Sequence, residues 1–337
     1  MKNTNTIAVD LAKSVFQICI LSANNKVTKH LRLNRAKFKE FLLTTNASTV
    51  YMEACYSAHY WGRFAEQAGH TVGLIPAQHV TPFVRGNKND RNDALAIAEA
   101  SRRPGIKFVQ VKSVAQQDIQ ALHRIRERCV AARTALMNQM RGLLSDYGHV
   151  FPVGINAFLT ELKSIDFSEV MSEIIQREIS RTLMEYDFLT RRIEHIQKEL
   201  TSYANKNAEC QRLQSIPGIG PHIASAIVSS IGKGNSFESA RCFAVWTGLT
   251  PIQKASGFKS VMSGITKRGD GYIRKLLVQA ARHTALWAKR NPDTKLGHWI
   301  NQIMQRRGMQ KGTVAVAHKL ARISWILLQR EQEFKVL

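Results

Sequence analysis

The amino-acid sequence predicts an α/β domain followed by a mainly helical remainder. Its N-terminal third alternates short β-branched runs with stretches of helical spacing. Two long amphipathic segments follow, and the last third is helical with glycine and proline punctuation. These three observations divide the chain into predicted domains at 1–111, 112–207 and 208–337.

The first domain is predicted to begin with three strands. The runs TIAVDLA, SVFQICILS and KVTKHLRLN are apolar or alternating and are joined by short turns, which predicts an antiparallel meander. Helices and strands then alternate through RAKFKEFLLTT (helix), STVYMEA (strand), SAHYWGRFAEQAG (helix), HTVGLIP (strand), RNDALAIAEASRR (helix) and IKFVQV (strand). This order predicts a mixed sheet covered by helices and resembles the ribonuclease-H-like layout.

The middle of the chain is predicted to form two long amphipathic helices. Apolar residues recur at intervals of three and four over residues 113–148 and again over 167–204. Such a pair fits a coiled-coil element for oligomerisation, and it fits an antiparallel hairpin or bundle within one chain equally well.

Composition describes a globular protein without a membrane anchor. The 337 residues are 44% hydrophobic, and no apolar run approaches the roughly 20 residues that span a bilayer. The N-terminus lacks the apolar core of a signal peptide. The five cysteines are scattered and form no C-x-x-C pair, which argues against a zinc site or disulfide framework and favours a reducing cytoplasm.

Charge is the strongest compositional signal. The 48 lysines and arginines exceed the 25 acidic residues, which gives a net charge of +23 and a pI near 10.1. The excess lies toward the two ends of the chain, and the middle is nearly neutral. Nucleic acid is the commonest partner of such a protein, although a merely basic surface has the same composition.

Four acidic residues have a placement that suggests metal chemistry. Asp10 lies within the apolar first strand, and Glu53 ends the fourth. Asp90 and Asp93 open the following helix on one face. A carboxylate in an apolar strand is costly to bury unless it is paired or metal-bound, although each acid taken singly also fits a structural role. Oxygen ligands without histidine or cysteine suit Mg²⁺ or Mn²⁺, commonly as two ions about 3.5–4 Å apart that act on a phosphodiester.

Two glycines suggest a phosphate contact in the C-terminal domain. LQSIPGIGPHIASAIVSSIG has the form of a helix-hairpin-helix, in which Gly218 and Gly220 permit a tight turn before a helix N-terminus. The backbone N–H groups of such a turn contact phosphates without reading sequence. A packed helical turn has the same pattern.

A serine further along suggests a nucleophile. Ser256 precedes a glycine on a predicted flexible loop, and Lys267, Arg268 and Arg274 follow it as cations that would offset charge developing on a phosphate. A protease-type triad is unsupported, because no G-x-S-x-G elbow is present. Ser263, also followed by glycine, is the alternative nucleophile.

These motifs together resemble one protein family. Over nearly its full length the chain resembles the DEDD-plus-serine transposases of the insertion-sequence one-ten group, and its opening is closer to the second branch. The resemblance rests on AVDLAK, MEAC, KNDRNDA, LQSIPGIGPHIASAI, FAVWTGLTP, the Ser256–Gly257 pair and GITKRGDGYIRKLLV. Two positions depart from the family pattern: Ala255 replaces a frequent serine, and Asp270 replaces a usual asparagine.

The resemblance implies both an activity and partners. It implies a RuvC-like domain in which Asp10, Glu53, Asp90 and Asp93 bind Mg²⁺, and a serine that forms a covalent phosphoserine intermediate with DNA. It further implies a homodimer or homotetramer in which the two half-sites combine across protomers. A noncoding bridge RNA would pair with donor and target DNA.

Two other functions compete with this hypothesis. A RuvC-like junction nuclease would use the same acids with water in place of serine. A non-enzymatic nucleic-acid-binding protein would use the four acids for structure alone.

Overall fold

The computed structural model describes residues 5–84, 90–256 and 259–335. The chain folds into two compact units, each assembled from separate stretches. The first combines residues 1–117, 231–246 and 321–329. The second combines residues 118–230, 247–320 and 330–337. The three contiguous domains expected from sequence stay a prediction, but the long helices and most of the C-terminal segment fold into the same unit.

The first unit is built on a five-stranded mixed sheet, which confirms the predicted α/β region. Its strands are β1 (Thr6–Leu11), β2 (Val15–Leu21), β3 (Val27–Asn34), β4 (Thr49–Glu53) and β5 (Thr71–Ile75), in the order β3-β2-β1-β4-β5. The meander β1–β2–β3 is antiparallel, and β4 and β5 add to β1 in parallel. This order is consistent with a ribonuclease-H-like nuclease domain.

Helices cover both faces of this sheet. They are α1 (Arg35–Thr44), α2 (Ala58–Gln67), α3 (Ala77–Val80), a 3₁₀ turn (Thr81–Phe83) and α4 (Asp90–Ser101). On one face Phe16, Phe38 and Trp61 form an edge-to-face aromatic core beneath α1 and α2. On the other face Ile97 and the alanines of α4 pack on Ala8 and Cys19.

The prediction that IKFVQV forms the last strand of this region is wrong. It forms one isolated bridge, in which the Val109 N–H donates to the Leu74 carbonyl at 2.7 Å. The chain then turns over Gly62 of α2, where Val111 fits against a position that has no side chain, and it enters the next helix. Packing on α2 therefore ends the pairing after a single residue.

The two predicted long helices are α5 (Val114–Asp146) and α7 (Glu173–Lys206), separated by the short helix α6 (Ile155–Leu162). Ile119 near the start of α5 packs with Leu200 near the end of α7, and Cys129 packs with Leu189. The contacts run in opposite directions along the two helices, so α5 and α7 form an antiparallel hairpin within one chain. This is one of the two arrangements that the sequence left open.

The remaining elements are α8 (Ala208–Gln214), α9 (Pro221–Ile231), α10 (Ala240–Trp246), β6 (Pro251–Ser256), β7 (Lys259–Ile265), α11 (Gly271–Arg290) and α12 (Lys295–Arg330). The antiparallel hairpin β6–β7 is a two-stranded sheet of its own. Helix α12 is kinked at Gly308, whose φ of 73° and ψ of 168° are not helical. None of the helices in the described ranges is long and apolar enough to cross a membrane.

The loop between α8 and α9 sits directly on α11. Gly218 has a φ of +87°, and a Cβ at this position would lie 2.3 Å from Thr284 Oγ1 and 2.7 Å from the Ala280 carbonyl. The Thr284 hydroxyl donates to the Pro217 carbonyl at 2.8 Å. At Gly220, by contrast, a Cβ would meet no described atom within 4 Å. The first glycine is therefore required by packing, and the second is not.

A buried polar network joins α5, α9 and α11. The Ser225 hydroxyl donates to the His222 carbonyl at 3.1 Å, so its oxygen accepts from Nε2–H of His123 at 3.1 Å. Nδ1 of His123 then accepts from the Tyr272 hydroxyl at 3.0 Å. The Tyr272 oxygen accepts in turn from Nε2–H of His222 at 3.0 Å. Because the Ser225 hydroxyl donates to the His222 carbonyl, both His123 and His222 carry their ring proton on Nε2.

Both imidazoles in this network are neutral. Burial lowers the pKa of His123 from its usual 6.5 to about 3, helped by the neighbouring His222 and Arg126. Burial, with Arg126, lowers the pKa of His222 to about 4. Burial also raises the pKa of the Tyr272 phenol, which stays protonated. The bonds described above therefore hold at neutral pH.

Replacement of Gly218 by alanine is expected to lower the free energy of unfolding by about 2–4 kcal/mol, because it adds both left-handed strain and a backbone clash. The matched variant Gly220→Ala should change the same quantity by less than about 1 kcal/mol. Urea denaturation of the two variants and the wild type measures the difference. Equal effects at the two glycines would contradict the packing described for this loop.

Acid is expected to destabilise the protein through His123 and His222. In the unfolded chain these imidazoles take up protons below about pH 6.5, whereas in the folded chain they stay neutral until about pH 4 and pH 3. Stability from this source is therefore complete above pH 6.5 and falls as the pH drops, by about 2–4 kcal/mol at pH 5.

Denaturation at pH 7, 6 and 5 measures this loss. In His123→Gln about half of the acid-dependent loss should disappear, whatever the variant's stability at pH 7. An unchanged dependence on pH would contradict the assignment of a neutral, buried His123.

Candidate active site

The β1–β4 pairing places two of the predicted acids side by side. Val9 of β1 is paired with Met52 of β4, so the next residues, Asp10 and Glu53, are neighbours on parallel strands. Val9 and Met52 face the core beneath α1 and α2. Side chains alternate along a strand, so Asp10 and Glu53 face the opposite side of the sheet, which α4 covers. Both side chains are half-buried.

Helix α4 runs antiparallel to β1, and this orientation brings its start toward the same end of the sheet. Just beyond the helix, the Arg102 guanidinium donates to the Asn25 carbonyl in the β2–β3 turn at 3.5 Å. That turn lies beyond Leu21, which pairs with Thr6 at the start of β1. The first turn of α4 therefore lies toward the other end of β1, where Asp10 is found.

Asp93 is half-buried and lies on the face of α4 that contacts the sheet. It precedes the buried Ile97 by one helical turn, and residues four apart share a helix face. Asp90 is the first residue of α4, but its side chain lies outside the described residues. Three predicted ligands, Asp10, Glu53 and Asp93, thus lie on one face and toward one end of the sheet.

The donor set fits a hard divalent cation. The residues are carboxylates with no histidine or cysteine among them, which is the ligand chemistry of Mg²⁺ and Mn²⁺. Among the side chains that the structure describes, no three acidic, histidine or cysteine residues lie close enough together to hold a metal ion. The fourth acid, Asp90, is outside that search, so the metal site stays a prediction.

Ser256 lies at the end of β6, not on a flexible loop, and this corrects the sequence prediction. It is paired with Lys259 across the β6–β7 hairpin, and the Gly257 that follows lies outside the described residues. Every residue of β6 is exposed, so the serine is open to solvent. Ser263, the alternative nucleophile, lies exposed on β7. The sequence missed this hairpin because neither strand buries a face, so neither shows an apolar alternation.

The cations after the hairpin differ in their surroundings. Lys267, with a φ of 55°, and Arg268 are exposed. Arg274 is half-buried, and its Nη1 donates to the Thr247 carbonyl at 3.1 Å and to the Arg268 carbonyl at 3.3 Å. The arginine therefore braces the loop that presents the other two cations. Whether any of the three contacts phosphate stays a prediction.

Asp270 is the N-terminal cap of helix α11. Its carboxylate accepts from the N–H groups of Tyr272 and Ile273, both at 2.9 Å, at the start of α11. Aspartate and asparagine cap helices about equally well. The substitution noted in the sequence therefore preserves the function of the position.

The sequence prediction missed the network of His123, His222 and Tyr272. A buried histidine on an amphipathic helix was the available signal, since His123 occupies a core position of α5 and is 3% exposed. Its partners belong to two other helices. Tyr272 lies 149 positions further along the chain, and His222 lies 99 positions further. No periodicity within α5 specifies them.

Comparison with known proteins identifies the family. Residues 7–149 match the DEDD transposase model of IS110, and residues 210–296 match the model described as the IS116/IS110/IS902 family of transposases. The acidic residues lie within the first match, and the glycine loop, hairpin and cationic loop lie within the second.

Full-length relatives agree with these matches. The chain is 41% identical to the transposase for insertion sequence element IS1111A of Coxiella burnetii, over 99% of this chain and 92% of the relative. It is 39% identical to a probable family 20 transposase of Pseudomonas aeruginosa, over 98% of both chains. It is 37% identical to the transposase for insertion sequence element IS1328 of Yersinia enterocolitica, over 97% of both chains. The chain belongs to the IS116/IS110/IS902 family of insertion-sequence transposases, which are DNA-recombining enzymes.

Proposed function

We propose that this transposase cuts and rejoins DNA by serine attack at a phosphodiester activated by divalent metal. The observation that carries the proposal is the register of β1 and β4, which sets Asp10 beside Glu53 on the face that α4 covers. With Asp90 and Asp93 on α4, these residues would hold two Mg²⁺ ions, or Mn²⁺. The ions would polarise the scissile phosphate and neutralise its developing charge.

Ser256 is the proposed nucleophile. Its Oγ forms a bond to phosphorus, the bond from phosphorus to the 3′ oxygen breaks, and the serine proton passes to solvent while the released 3′ oxygen takes one up. One phosphoester bond replaces another, so a 3′-hydroxyl from a second DNA strand reverses the step without an external energy source. The exposed position of Ser256 on β6 supports access to a DNA backbone.

The basic residues have a supporting role in this proposal. Lys267 and Arg268 are exposed on the loop that Arg274 braces, so they are free to contact phosphate oxygens. The turn at Gly218 and Gly220 is proposed to contact a DNA phosphate through backbone N–H groups. Gly218 packs against α11, which holds this part of the turn in place.

A second copy of the chain and a noncoding bridge RNA complete the proposal. The net charge of +23 suits an enzyme that holds donor DNA, target DNA and RNA. Met184 and Phe188 lie one turn apart on α7 and are 70% and 57% exposed. An exposed apolar pair on a long helix supports association into a homodimer or homotetramer.

Ser256→Ala is expected to abolish the covalent protein–DNA adduct and to lower strand exchange by more than about a thousandfold. Ser263→Ala is the matched control, since it removes an exposed serine that also precedes glycine, and it should retain activity. Denaturing electrophoresis of labelled DNA with each variant measures the adduct. A Ser256→Ala protein that still cleaves DNA would indicate the water-using nuclease.

Asp10→Asn is expected to abolish strand exchange while DNA affinity stays within about threefold of wild type, since it removes a metal ligand and no phosphate contact. Glu40→Gln, an exposed acid on α1, is the control and should leave activity intact. Chelation with EDTA should have the same effect as Asp10→Asn, and added Mg²⁺ should reverse the effect of EDTA alone. Full activity of Asp10→Asn would support a structural role for the acids.

A further inference from the structure

A cleft lies in the second unit, and its described lining residues come from neither the serine hairpin nor the glycine loop. It has a volume of about 430 Å³ and is lined by α5, α9 and the first residues of α11. Charged residues line it from two of these elements: Arg124, Glu127 and Arg128 come from α5, and Asp270 comes from the start of α11. The lining includes none of Asp10, Glu53, Asp93 and Ser256, so the proposed strand-cleavage chemistry assigns this cleft no role.

The two acids of the cleft have partners elsewhere in the protein. Glu127 forms an ion pair with Lys275. Asp270 accepts two backbone N–H groups as the cap of α11. Both carboxylates thus make these contacts to groups other than Arg124 and Arg128.

The arginines of the cleft are not balanced in this way. Arg124 and Arg128 are exposed and lie four residues apart on one face of α5. Within the part of the chain that the structure describes, neither forms an ion pair. The cleft therefore presents two guanidinium groups, each with several N–H donors in a planar fork that matches phosphate oxygens.

Aromatic rings also line the cleft. Tyr272 and His123 line it, and the hydrogen-bond network of both rings holds them in place. Proteins that bind single-stranded nucleic acid combine cations for the backbone with aromatic rings for the bases. A volume of about 430 Å³ is also within the range of pockets that take an organic ligand, and it exceeds what a lone ion needs.

We propose that this cleft binds one nucleotide of a single-stranded or unpaired nucleic-acid segment, with its phosphate on Arg124 and Arg128 and its nucleoside against Tyr272. The inference rests on the proposed function, because it assumes a nucleic-acid substrate or guide. Duplex DNA is disfavoured as the ligand, since a stacked base must leave the helix before it enters a pocket. The ligand chemistry is shared by DNA and RNA.

The first test removes the phosphate ligands. Full-length Asp10→Asn protein, which is expected to be inactive, is titrated with labelled single-stranded DNA or RNA of mixed sequence over a range of salt concentrations. Adding Arg124→Ala and Arg128→Ala should weaken binding by about tenfold or more. It should also reduce the slope of log affinity against log salt by about 0.7, because the contact to one phosphate is lost.

A charge-matched control separates the cleft from general electrostatics. Arg191→Ala with Arg192→Ala removes two exposed arginines of α7 in the same unit, and neither of them lines the cleft. This pair should weaken binding by less than about threefold. Equal losses from the two pairs would overturn the proposal in favour of a diffuse basic surface.

The second test fills the cleft without changing its charge. Ala131 is exposed and lines the cleft, so Ala131→Trp should occupy the space for the nucleoside and weaken single-strand binding by about tenfold. Ala135, one turn further along α5, is also exposed but does not line the cleft, and Ala135→Trp should bind normally. Circular dichroism and thermal unfolding confirm that each variant is folded.

The outcomes distinguish this inference from the proposed function. Unchanged binding by Ala131→Trp would overturn the nucleotide site even if the wild-type protein carries out strand exchange. Weakened binding by Ala131→Trp and by the Arg124 and Arg128 pair, with normal binding by both controls, would support the site even if Ser256→Ala remained active. Loss with RNA alone, or with DNA alone, would identify which nucleic acid occupies the cleft.

Discussion

The parallel pairing of β1 with β4 is the constraint on which the candidate active site depends. Because side chains alternate along a strand, the pairing of Val9 with Met52 decides the face of both following acids. A shift of one residue in either strand would place Asp10 or Glu53 in the apolar core of Phe16 and Trp61. The same apolar side chains that stabilise this core therefore fix the position of the acids.

A comparable constraint organises the start of α11. Asp270 caps the helix, Tyr272 hydrogen-bonds to the buried His123 and the half-buried His222, and Arg274 donates to the carbonyls of the preceding loop. Within one helical turn, the chain thus fixes its helix end, its contact with α5 and α9, and its cationic loop. Burial keeps the histidines neutral, so these bonds are not disrupted by a charge near neutral pH. Arg274, which the sequence predicts as a phosphate contact, thus holds the protein's own loop in place.

The sequence predicted the elements whose pattern is local. The five strands, α4 and the two long helices agree with the structure because alternation and helical spacing are properties of neighbouring residues. IKFVQV has the alternation of a strand, but only Val109 pairs with the edge of the sheet. The sequence predicts a loop at Ser256 because an exposed hairpin buries no face and leaves no apolar periodicity. The pattern could not distinguish an exposed strand from an extended loop.

The sequence by itself determined the class of fold, the family, and the residues proposed for chemistry, because these depend on residue types in a particular order. Only the tertiary structure decided that α5 and α7 pair within one chain, since amphipathic spacing is the same whether the partner helix is internal or external. It also decided that Gly218 serves packing and that Arg274 braces a loop, since the atoms they meet belong to residues distant in sequence. Such contacts arise from chain geometry, which no local pattern of residues encodes.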